Sequence, residues 1–140
     1  MSWKWFALGS AFFAGLTAIF GKLGVEGLNS NLATLIRSVV ILIITIAIVS
    51  LQGEWRFPSK PLELRPVMFL VLSGIATGFL WLLYYRALQM APASLVAPVD
   101  KLSVAFAIVL GVLFLGEPVT AKLVIGGILV VSGAMVLIWP

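Results

Sequence analysis

Five apolar blocks of about membrane length take up nearly all of this 140-residue chain. A helix rises about 1.5 Å per residue, so about 20 residues cross a hydrocarbon core about 30 Å thick. The blocks run over about 3–22, 32–51, 67–86, 95–115 and 121–139. An odd number of crossings puts the two chain ends on opposite sides of the bilayer. The linkers between blocks are too short to hold a soluble catalytic domain.

The sequence is 62% hydrophobic and 10% charged, whereas a soluble domain carries about 25% charged residues. The reading is an all-α integral membrane protein, a bundle of five transmembrane helices forming a single membrane domain over 1–140. Helices are required because an open strand cannot satisfy its backbone in lipid. A β-barrel would alternate over segments of about 10 residues, and no such pattern occurs. The chain has neither Cys nor His, which removes disulfides, thiolate chemistry, imidazole catalysis and the usual zinc ligands. No metal, no cofactor and no enzyme activity are expected. The nine Lys and Arg residues are spread among the blocks, so there is no basic stripe for nucleic acid. The first block, opening near Lys4, reads as a retained span rather than a cleaved leader.

Turn chemistry marks the linkers. Gly53, Pro58 and Pro61 separate blocks two and three, since Gly and Pro stop helices. Ser94 is placed as the N-cap of block four, which leaves Pro98 in the first turn, where proline does least harm. Gly116 closes that helix and Thr120 caps the fifth. Trp3, Trp5, Trp55 and Trp139 lie near span ends, as interfacial anchors do, whereas Trp81 lies well inside block three. Small residues at fourfold spacing (Ala7, Ala11, Gly15; Gly74, Gly78) and the pairs Gly126-Gly127 and Ser132-Gly133 suit close helix packing.

Orientation follows the Lys/Arg bias. Lys4, Arg56, Lys60, Arg65 and Lys122 gather on one side; Lys22, Arg37, Arg86 and Lys101 gather on the other. Five against four, or five against two once Arg37 and Lys101 are discounted as lying partly within spans, places the N-terminus in the cytoplasm and the C-terminus outside, in the cell (inner) membrane. So narrow a margin leaves dual insertion open.

Charges inside the spans carry the functional reading. The charge-free stretch 102–115 is too short to cross alone, so the fourth span must take in Asp100 and Lys101. Arg37 likewise falls within the first turns of block two. A charge near the bilayer centre costs about 2.5–3.5 kcal/mol on insertion scales, so such groups should face a partner, the bundle interior or water. Neighbouring residues point about 100° apart on a helix, so Asp100 is expected to pair across helices, with Arg37 or Arg86 as first partners. Asp100 and Glu26 are the acids placed to carry a proton or bind a cation. Trp81, Tyr84 and Tyr85 share one helix face and lead into Arg86. They either line a cavity for an aromatic or cationic solute or pack structurally.

The run Tyr85-Arg86-Ala87-Leu88-Gln89-Met90-Ala91-Pro92-Ala93-Ser94-Leu95-Val96-Ala97-Pro98, then Val99-Asp100-Lys101-Leu102-Ser103, then Leu113-Phe114-Leu115-Gly116-Glu117-Pro118, resembles the EamA-type domain of the drug/metabolite transporter superfamily. Gly21-Lys22 and the stretch from Leu32 to Arg37 fit the same pattern. The resemblance covers nearly the whole chain and is strongest from Trp81 to Ile138. It implies half of an inverted-repeat ten-helix fold, so that a second five-span unit completes the transporter. A homodimer, antiparallel or otherwise, or a paired half-transporter would supply it, with the substrate site at the midplane between halves. The implied function is transport of a small organic solute by alternating access. The residues it offers as substrate or coupling candidates are Asp100, Lys101, Arg37, Trp81, Tyr84, Tyr85, Arg86, Lys22 and Glu26. The implied partners are the lipid bilayer, a small-molecule solute and the second half. A non-transporting membrane subunit is the competing reading.

Overall fold

The computed structural model describes residues 2–55 and 63–139. The linker segment 56–62, with Arg56, Lys60, Pro58 and Pro61, lies outside the described residues. The elements are α1 (Trp3–Gly24), α2 (Ser30–Gln52), α3 (Leu64–Met90), α4 (Ala93–Asp100), α5 (Ser103–Leu115) and α6 (Ala121–Ile138). Five spans are long and apolar enough to cross a membrane, and α4 with α5 makes the fourth, Ala93–Leu115. The fold is therefore that of an all-α multi-pass membrane protein.

Local chemistry sets the helix ends. Asn29 is extended, at φ −64° and ψ 131°, and its side chain accepts from the Asn31 N–H. That cap starts α2 ahead of the expected boundary. Gly53 ends α2 at φ 65°, in the left-handed region that suits glycine. Thr120 caps α6 as expected, accepting from the Leu123 N–H at 3.2 Å. Gly116 closes α5 as expected, at φ 67°.

The fourth span departs from the sequence reading. Its first helix starts at Ala93 with Pro92 as N-cap, and the Ser94 side chain caps nothing. Pro92 is fixed at φ −61° in extended geometry, and its carbonyl takes the N–H groups of Leu95 and Val96. Pro98 therefore sits inside the helix rather than in the first turn. It has no N–H to return to the carbonyl one turn back. Beyond it the ladder tightens to the three-residue type. Lys101 bonds Pro98, Leu102 bonds Val99, Val104 bonds Lys101 and Ala105 bonds Leu102, each at 3.0 Å. The break at Lys101-Leu102 splits one crossing into two helices.

The chain divides into two compact units, Met1–Lys22 with Met90–Pro140, and Leu23–Gln89. In the first unit α6 packs against α4 and α5. Gly127 permits close approach there: a Cβ on it would lie 2.9 Å from Ile108 Cδ1. Val96 and Ala134 are buried, and Lys22 Nζ donates to the Ala91 carbonyl at 3.1 Å, tying the end of α1 to the linker before α4.

In the second unit Leu88 is wholly buried, with Tyr85, Val25, Ala33 and Thr34 nearly so. α3 continues past the expected end at Arg86 to Met90, which brings in Gln89. The Gln89 amide nitrogen donates to the carbonyls of Leu28 (2.6 Å) and Val25 (3.4 Å), while its oxygen accepts from Arg86 Nη1 at 3.2 Å. One side chain thus ties the α1–α2 linker to the last turn of α3. Four hydroxyls along α2 are satisfied on their own helix. Thr34, Ser38, Thr45 and Ser50 each donate to a carbonyl one turn back, at 2.7–3.0 Å. This is how hydroxyls enter an apolar helix without an unmade bond.

Small-residue spacing is only partly used within the chain. Among the described residues, a Cβ added at Gly15, Gly74, Gly78, Gly126 or Gly133 would meet nothing within 4 Å.

Candidate functional site

Two polar features lie within candidate spans, one in each unit. In the Leu23–Gln89 unit, Arg37 and the aromatic trio of α3 come together. Arg37 follows Ser30, the start of α2, by 7 residues, about 10 Å along the axis. Trp81 precedes Met90, the end of α3, by 9 residues, about 14 Å. The Arg37 guanidinium carbon lies 3.3 Å from the Trp81 ring centroid. Trp81 meets Tyr84 edge-on at 5.4 Å and Tyr85 at 5.9 Å, and the two tyrosines lie 6.5 Å apart. The shared face expected for residues 81, 84 and 85 is present. Tyr85 is buried; Trp81, Tyr84 and Arg37 are half-buried.

Arg37 makes neither a hydrogen bond nor an ion pair among the described residues. A guanidinium stacked on an indole engages its flat face, and its N–H donors lie in its own plane. The site can therefore hold a cation at depth while leaving its donors directed along that plane. Arg86, on the same helix as Trp81, is exposed and bonds Gln89 instead.

In the other unit, Asp100 and Lys101 occupy the break in the fourth span. Asp100 does not pair with Arg37 or Arg86 as expected; its ion pair is with its neighbour, Lys101 Nζ to Asp100 Oδ2 at 3.1 Å. The expectation rested on a continuous helix, in which neighbours diverge. Here the helix ends at Asp100, and the long lysine side chain folds back across the turn. The pair is partly open, with 29% of the Asp100 side chain and 52% of the Lys101 side chain exposed. Lys22 serves the Ala91 carbonyl. Glu26 is exposed in the turn after α1.

Sequence reasoning treated Arg37 and Trp81 as separate features. The signal that joins them was present: antiparallel neighbours place a residue early in one span at the depth of a residue late in the next. Gln89 was missed as a clamp, although an amide one turn after Arg86 in an otherwise apolar helix end marks it.

These features, five spans with polar groups inside them and a crossing broken at a charged pair, define an all-α multi-pass membrane protein. The chain belongs to the EamA-like transporter family, whose model matches residues 1–139. It is 49% identical over 136 residues to an uncharacterized transporter in the cobO 3' region of Sinorhizobium sp, a match spanning 97% of this chain and 96% of that protein. No solved structure matches significantly.

Proposed function

We propose that the protein is a secondary carrier that moves a small organic solute by alternating access, working as a pair of five-span units. The observation that carries this reading is the broken fourth span in a chain of a transporter family. A crossing interrupted at a charged pair gives a hinge and a polar site in one place. Carriers use discontinuous helices in this way, with free backbone groups and charges near the midplane. The relative matched over 96% of its length is of similar size, which supports a five-span unit that pairs with a second one. A second copy inserted in the opposite sense would complete an inverted pair.

The test is solute flux in proteoliposomes, with Asp100→Asn beside the native protein. Saturable flux that falls by about tenfold or more in the variant, a loss of about 1.4 kcal/mol, supports the reading. Saturable flux that Asp100→Asn leaves unchanged removes Asp100 from the transport cycle. Absence of flux for every metabolite class tried favours a non-transporting membrane subunit.

A further inference from the structure

We propose that the solute is a small organic monoanion, held by its carboxylate on the Arg37 guanidinium beside the Trp81–Tyr85 face. The inference rests on the carrier reading above and names the substrate class for it.

The first argument is compensation. A cation about 10 Å into a span needs an offset for an insertion cost that reaches about 2.5–3.5 kcal/mol at the bilayer centre. Stacking on Trp81 returns about 0.5–2 kcal/mol. The remainder is not met by an acid: among the described residues the ion pair is Lys101 with Asp100. A bound anion supplies the missing charge.

The second argument is geometry. The indole engages the flat face of the guanidinium, with 3.3 Å from carbon to ring centroid. The in-plane N–H fork is the part that recognises two oxygens of a planar carboxylate. Stacking also fixes the fork's orientation before the solute arrives, which lowers the ordering cost of binding.

The third argument is charge balance. Arg86 is exposed and engaged with Gln89, so among the described residues of the Leu23–Gln89 unit Arg37 is the cation stacked on the aromatic trio. One positive charge matches a carboxylate. It would leave a phosphate monoester, at about −1.5 to −2, half compensated in a medium where that is costly. The carbon body of the solute then lies against the tyrosine and indole rings, which favour flat or unsaturated groups. A lipid phosphodiester also carries one negative charge, so the test separates it from a solute.

The experiment uses the native protein in phosphatidylcholine vesicles, with and without phosphatidylglycerol. The probes are phenyl, indolyl and alkyl acetates, their amides and the matching amines, measured for both binding and flux. Carboxylates should bind about tenfold or more tighter than the amide or amine on the same carbon body. Arg37→Gln and Arg37→Lys should each lower carboxylate affinity by about 10- to 100-fold and amide affinity by less, since an amide offers the guanidinium one neutral acceptor. Arg37→Lys keeps the charge while losing the fork, so it tests the geometry even where Arg37→Gln fails to fold. Saturable flux of amines or amides, insensitive to both variants, overturns the anion site and leaves the carrier standing. Carboxylate binding that needs Arg37 but is accompanied by no flux keeps the site and overturns the carrier. Failure of every carboxylate to bind overturns the site. Loss of carboxylate binding on adding phosphatidylglycerol assigns Arg37 to lipid and overturns it as well.

Discussion

The guanidinium carbon of Arg37 lies 3.3 Å from the centre of the Trp81 ring, and Tyr85 meets the same indole at 5.9 Å. The contact joins the early turns of α2 to the late turns of α3. Trp81→Leu should destabilise the protein in detergent by about 1–2 kcal/mol, and Trp81→Phe by less, because a smaller ring still offers a π face. Denaturant titration followed by circular dichroism checks the order. Equal losses for the two variants would show that the ring's size, not its electrons, holds Arg37.

Pro98→Ala restores the N–H that α4 lacks. The tightened turns through Ala105 should relax toward one continuous helix. Hydrogen exchange at residues 98–105 should slow, and stability should hold or rise. Under the proposed carrier reading solute flux should fall, since the break that would serve as its hinge is lost. Flux at the native level with slowed exchange would separate the break from transport.

Gln89→Leu removes two donors from the carbonyls of Val25 and Leu28 and the acceptor of Arg86. A loss of about 1–2 kcal/mol is expected, with faster amide exchange in the α1–α2 linker. Gln89→Glu should cost at least as much at neutral pH, because a carboxylate would oppose two carbonyl oxygens. A variant as stable as the native protein would show that the linker is held by other contacts.

Gly127 and Gly133 lie on α6, spaced by 6 residues, and should respond differently. A Cβ at Gly127 would lie 2.9 Å from Ile108 Cδ1, so Gly127→Leu should cost about 1–3 kcal/mol by overpacking. Ile108→Val should recover part of it. Gly133→Ala, which meets nothing within 4 Å in the chain, should leave monomer stability unchanged. Its effect on crosslinked dimer yield then reads whether that face meets a second copy.

The apolar blocks made the spans legible, because insertion in lipid depends on length and charge alone. Thr120 and Gly116 were legible for a similar reason: capping is local chemistry. Pro98 was misplaced because two caps competed for one helix start, and the carbonyl of Pro92 won over the hydroxyl of Ser94. The partner of Asp100 was misjudged for the same cause, since its pairing with Lys101 depends on the helix ending there. The aromatic face of residues 81, 84 and 85 followed from periodicity. Its meeting with Arg37 did not follow from periodicity; it required matching the depths of two successive antiparallel spans, which no single segment carries.

The hydroxyls of α2 have a mechanical consequence. Thr34, Ser38, Thr45 and Ser50 are each bonded to their own helix. Turning or sliding α2 about its axis therefore breaks none of those bonds. The helix carries its polar groups without anchoring them to its neighbours, and the Arg37–Trp81 contact is one of the ties that joins it to α3. Under the proposed anion site, a solute on Arg37 would act directly on that tie.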